Sequence, residues 1–103
     1  MERIEKLMDM LKTSPEDSFL KHALALEMVK KGDDITARAL FESILENEPG
    51  YVGSYYHLAR LLERMEEPDA ALQVYEIGME ECRKVNDRHA LSELQMAYDD
   101  LTT

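Results

Sequence analysis

The chain has 103 residues, 12 basic against 22 acidic side chains, a formal charge of −10 and a single cysteine. That length bounds it to one domain. The acidic balance argues against nucleic acid or an anionic membrane surface as partner, because both demand clustered cations. One Cys excludes an internal disulfide and gives no sign of an oxidising compartment, and the charged start MERIEKLMDML is not that of a secretory leader. A cytoplasmic setting is the expectation.

Leu and Glu, 14 each, with nine Ala, outweigh the β-branched residues. Straight-chain side chains and Ala lose little entropy in a helix. In chain order, Ile4, Leu7, Met8 and Leu11 mark one face of a first helix over 2–12. Ser14-Pro15-Glu16-Asp17 reads as the start of the next, with Ser14 as cap and Pro15 in the first turn. Phe19, Leu20, Ala23, Leu24, Leu26, Met28 and Val29 carry that second helix to Lys31, where Gly32 ends it. Asp33 or Asp34 caps a third, with Ala37, Leu40, Phe41, Ile44 and Leu45 inward. Pro49-Gly50 separates a fourth, bearing Tyr55, Leu58, Ala59, Leu61 and Leu62. Pro68 opens a fifth, with Ala71, Leu72, Val74, Tyr75, Gly78 and Met79. Asn86 or Asp87 caps a sixth, with Leu91, Leu94, Tyr98 and Leu101. Helix alternating with short turn implies antiparallel neighbours.

The chain also repeats itself. At an offset of 34 residues Leu7, Phe41 and Tyr75 correspond, as do Leu11, Leu45 and Met79, and Met10, Ile44 and Gly78. Leu24 matches Leu58, Ala25 matches Ala59, Met28 matches Leu62, Ala37 matches Ala71 and Pro15 matches Pro49. A period of this length, two helices to the unit, is the mark of a stacked helical array.

These residues give the chain its resemblance to the tetratricopeptide repeat (TPR) family. One copy reads Leu24-Ala25-x₂-Met28, then Ala37-x₃-Phe41, then Pro49; the next reads Tyr55-x₂-Leu58-Ala59-x₂-Leu62, then Ala71-x₃-Tyr75. Lys21 departs from the pattern where the first copy would carry an aromatic, and Arg83 where the second would end in Pro. The resemblance implies an all-α fold of antiparallel helix pairs, stacked as a short right-handed superhelix of about six helices. It divides the chain into a half-repeat helix (1–15), a first repeat (16–50), a second repeat (51–85) and a capping helix (86–103). The sixth helix slips phase, since the strict offset would bury Ser92 and Glu93.

Catalytic signals are scarce. There is no phosphate loop and no HExxH or Glu-x-x-His. His89 and Glu93 lie i, i+4, but two ligands do not make a metal site. Cys82 has no spaced partner and reads as a small core hydrophobe. Met8, Met28, Met79 and Met96 read as core filling. The runs Glu63, Glu66, Glu67, Asp69 and Glu76, Glu80, Glu81 read as solvated faces. No enzyme activity, metal or cofactor is expected.

The resemblance implies instead a protein-interaction scaffold that holds a peptide in a concave groove lined by the first helix of each pair. The groove candidates are Phe19, His22, Leu26, Val29, Lys30, Tyr56, Arg60, Arg64, Leu94 and Tyr98. Lys30, Arg60 and Arg64 against Glu63 give it a more cationic character than the acidic second helices. It does not match the clamps that receive chaperone C-terminal carboxylates, because His22, Leu26 and His57 stand where those carry Lys and Asn. The partner would be a protein or peptide. The alternative is a homo-oligomeric subunit, such as a homodimer, that uses the same apolar surface on itself.

Overall fold

The computed structural model describes residues 2–103. It contains six helices: α1 (Glu2–Thr13), α2 (Ser18–Lys31), α3 (Asp34–Asn47), α4 (Gly53–Arg64), α5 (Pro68–Val85) and α6 (Arg88–Thr102). Among the described residues there is no strand, and no helix is long and apolar enough to cross a membrane. The helices stack in sequence: α1 lies on α2, α2 pairs with α3, α3 meets α4, α4 pairs with α5, and α6 closes on α5 with a lighter contact to α4. The body measures 41 × 29 × 19 Å.

Local chemistry sets the helix ends. Asp33 and Asp87 accept hydrogen bonds from the Thr36 and Ala90 amides and so cap α3 and α6. Pro68 occupies the first turn of α5, where its missing N–H costs nothing. Gly32 takes the left-handed conformation after α2 at φ 88°. The start of α2 differs from the sequence expectation. Asp17 is the cap, its side chain accepting from the Leu20 amide at 3.0 Å, and Ser14 uses its carbonyl to close the preceding turn. Pro15 therefore lies in the turn and not in the helix.

The core runs through the stack. Ala25, Ala37, Ala59 and Ala71 are all fully buried where helices meet, and Phe41, Ile44 and Tyr75 fill the space around them. Cys82 belongs to the same core, and burial, followed by the nearby Asp87, pushes its thiol pKa up. Met28 and Met79 are buried. Met8 and Met96 are not, contrary to the core-filling expectation: Met8 is half exposed on the terminal α1, and Met96 faces outward on α6. The phase of α6 explains the second case. Its buried residues are Leu94 and Ala97, which turns Met96 away. The α5 helix, four residues longer than α3, brings α6 in at this rotation.

Candidate functional site

Three adjoining clefts run along one face, over α2, α4 and α6. The first, about 410 Å³, lies between α2 and α4 and is lined by Leu26, Val29, His57, Arg60, Leu61, Glu63 and Arg64. The second, about 650 Å³, is lined by Arg3, Phe19, His22, Ala23, Leu26, Glu27, Val29 and Lys30. The third, about 320 Å³, lies between α4 and α6 and is lined by Tyr56, Arg60, Glu93, Met96, Ala97 and Asp100. Leu26 and Val29 form a wall common to the first two clefts, and Arg60 a wall common to the first and third, so the three make one groove.

The structure brings eight of the ten residues expected at the groove onto this face: Phe19, His22, Leu26, Val29, Lys30, Tyr56, Arg60 and Arg64. Two stand elsewhere. Leu94 is 1% exposed and packs into the core, its Cδ1 only 3.0 Å from where a Cβ on Gly78 would lie. Tyr98 packs partly buried against the core, and its hydroxyl donates to Glu76 of α5 at 3.3 Å. Both follow from the rotation of α6, which directs 94 and 98 toward α5.

The groove's apolar surface is prominent at its ends. Phe19 and Met96 are each 69% exposed, while Leu26, Val29 and Tyr56 are half-buried and rest on the core. Its cations are already engaged. Arg3 and Lys30 both reach Glu27, at 3.2 and 3.3 Å. Arg64 makes a two-pronged contact with Asp34 of α3, the shorter bond being 2.6 Å. Arg60 is held most loosely, 3.8 Å from Glu63. Glu63 in turn accepts the Tyr75 hydroxyl, so it is a half-buried structural carboxylate and not part of a solvated acidic face. Burial and then this carboxylate push the Tyr75 pKa far up. The cationic character read from the sequence is thus balanced residue by residue.

Sequence reasoning placed His22 and His57 in the groove but missed their contact on its floor. His22 and His57 meet there in an edge-to-face contact, ring centroids 5.3 Å apart, both against the fully buried Phe41. His22 Nδ1 lies 2.7 Å from the Ser54 hydroxyl. Burial lowers the pKa of both imidazoles; His57 also lowers that of His22, and Glu93 partly offsets the effect at His57. The available signal was that 22 and 57 fall almost one repeat apart, on helices that the period makes neighbours. Among the described residues no group of three or more His, Cys, Asp or Glu side chains converges to hold a metal. His89 and Glu93 form an exposed pair at 3.8 Å.

The same architecture occurs in solved structures of known family. A crystal structure of a tetratricopeptide repeat domain protein from Salinibacter ruber is 42% identical over 84% of this chain and 96% of its own, with a TM-score of 0.80. A solution NMR structure of a tetratricopeptide repeat domain protein from the same organism is 44% identical over 84% of this chain and 88% of its own, at 0.81. The chain belongs to the tetratricopeptide repeat family. The TPR2B domain of yeast Sti1, solved as a complex with pHsp70, matches the fold at a TM-score of 0.88 over 96% of this chain and 79% of its own, at 21% identity. No family model matches this TPR chain, and no curated protein does. Where the TPR groove passes from α2 to α4, its walls carry side chains of both helix pairs.

Proposed function

We propose that the chain is a non-catalytic interaction module that holds a peptide or protein segment, extended or helical, in the groove along α2, α4 and α6. The observation that carries this reading is the continuity of the three clefts, with half-buried apolar residues at their shared walls and charges on the rim. Leu26, Val29 and Tyr56 supply the apolar anchorage, and burial against them provides most of the affinity. Arg60, whose ion pair is the loosest among the groove's cations, takes a carboxylate from the ligand. The repeat division that goes with this reading is 16–50 and 51–85, flanked by α1 and α6. The Sti1 domains that share the fold are described as complexes with pHsp70 and pHSP90, which supports a protein ligand as the class. His22, Leu26 and His57 set this groove apart from a carboxylate clamp.

Selection of a displayed random peptide library on the intact chain tests the reading. Peptides enriched on the wild type should lose binding to Leu26→Asp and to Tyr56→Ala, while both variants keep their helical spectrum. Peptides that bind both variants as well as the wild type would place the ligand on another face. A solution mass that rises with concentration, and falls back in the Leu26→Asp variant, would favour self-association through the same surface.

A further inference from the structure

The two histidines on the groove floor supply neither the apolar anchorage nor the charge partner of the function just proposed. One comes from α2 and the other from α4. The closest contacts between the two helix pairs run through α3 and α4, so the rings span the gap where α2 and α4 stand further apart. Three features define the contact. The rings stand 5.3 Å apart, centroid to centroid, at an interplanar angle of 70°. His57 also lies nearly parallel to Phe41, at 6.2 Å and 9°. Ser54, fully buried and bonded to His22, lies in the first turn of α4, at the positive end of the helix dipole.

The surrounding charges do not compensate a second proton. Arg3 of α1 and Glu27 and Lys30 of α2 share the cleft of His22, and Glu27 already serves both cations. Arg60, Glu63 and Arg64 of α4 share the cleft of His57, and Glu63 is committed to Tyr75 and Arg60. From α6, Glu93 favours a charged His57, but it is paired with His89. From α3 the neighbour is Phe41, and from the α3–α4 turn Tyr51, whose ring lies 5.9 Å from His22. Neither brings a negative charge near neutral pH.

We propose that the His22–His57 contact is an acid-sensitive latch between the two helix pairs: neutral, the rings close the groove floor over Phe41; protonated, they part and open it. Two imidazolium rings at this separation repel each other, and a charged ring on the half-buried floor loses hydration. The latch works whatever the groove binds. Acidification would then reshape the groove where it passes from α2 to α4 while leaving the outer helices in place.

The test is imidazole NMR on the intact chain, titrated from about pH 7.5 to about pH 5. His22 and His57 should titrate as a coupled pair, and the ring-to-ring NOEs linking them to Phe41 should disappear over the same range. His57→Gln should remove the coupling and raise the midpoint of His22. If that variant does not fold, His22→Gln gives the reciprocal reading on His57. The proposal is overturned if the NOEs survive with both rings charged, if either substitution leaves the remaining midpoint unmoved, or if the pair stays uncharged to about pH 5.

Discussion

The two helix pairs, α2/α3 and α4/α5, solve one packing problem in opposite ways. In the second pair Tyr55 enters from α4, its hydroxyl donating to the Pro49 carbonyl at 2.6 Å, and α5 makes room with Gly78. A Cβ added at Gly78 would lie 2.7 Å from Tyr55 Cβ. In the first pair the same two repeat positions hold Lys21 and Ile44. Lys21 is buried, its amine donating to Ser43 at 3.0 Å and reaching Glu16 at 3.4 Å, while Ile44 is fully buried. Bulk has moved from one helix to the other, and a hydroxyl anchor has been replaced by an ammonium anchor. The repeat therefore conserves filled volume and satisfied polar ends, not residue type.

The largest effect should come from emptying the first pair. Ile44→Ala should cost about 2–5 kcal/mol in urea unfolding, as a buried truncation leaving a cavity. Adding Lys21→Tyr, which rebuilds the second pair's distribution of bulk, should recover part of that loss, with a coupling of about 0.5–3 kcal/mol. Strict additivity would break the comparison. Gly78→Ala is the mirror case. Ala gains roughly 1 kcal/mol over Gly in a helix, but the contact with Tyr55 Cβ cannot relax by a side-chain rotation. A net loss of about 1–3 kcal/mol in the same assay is expected.

The joint between the pairs should respond to pH. His22 and His57 are both held below the ordinary value of 6.5, mainly by burial. As pH falls through 6.5 the unfolded chain binds protons that the folded chain refuses. Stability is therefore full above that value and declines below it, toward the lowered folded values. Urea midpoints measured on both sides of 6.5 should show this decline in the wild type and a shallower one in the His22→Gln, His57→Gln double variant.

The smallest effect concerns the two inter-helix turns. Gly32 takes its left-handed backbone at no steric cost, whereas its counterpart in the second pair is Glu66, at φ 62°. Glu66→Gly should raise stability by roughly 0.5–1 kcal/mol, strain relief being partly offset by the freedom Gly loses on folding. A decrease would mean that the Glu66 side chain contributes to the turn.

Much of this was legible in the sequence because it rests on local chemistry or on the repeat itself. The caps, narrowed to Asp33 or Asp34 and to Asn86 or Asp87, the stop at Gly32 and the four buried alanines needed only spacing and residue type. The candidate groove was legible where α2 and α4 obey the period. It was misread at α6, where Leu94 and Tyr98 fall to the core side because the longer α5 changes the helix rotation. Met8 was misassigned because α1 packs mainly on α2, which leaves Met8 half exposed and which periodicity does not reveal. The carboxylate answering Arg64 and the ring contact between His22 and His57 are tertiary facts. They depend on side-chain reach across helices, and the period says only which helices are neighbours.

The proposal that this chain uses the inner face of its stack to hold a peptide is tested most directly by mapping amide shift changes when a selected peptide is added. The account predicts perturbations concentrated between residues 19 and 30 and between 56 and 64, spreading to the α6 residues Glu93, Met96 and Asp100, with the exposed positions of α3 and α5 unmoved. Shifts confined to the exposed faces of α3 and α5, with Leu26, His57 and Arg60 silent, would contradict it.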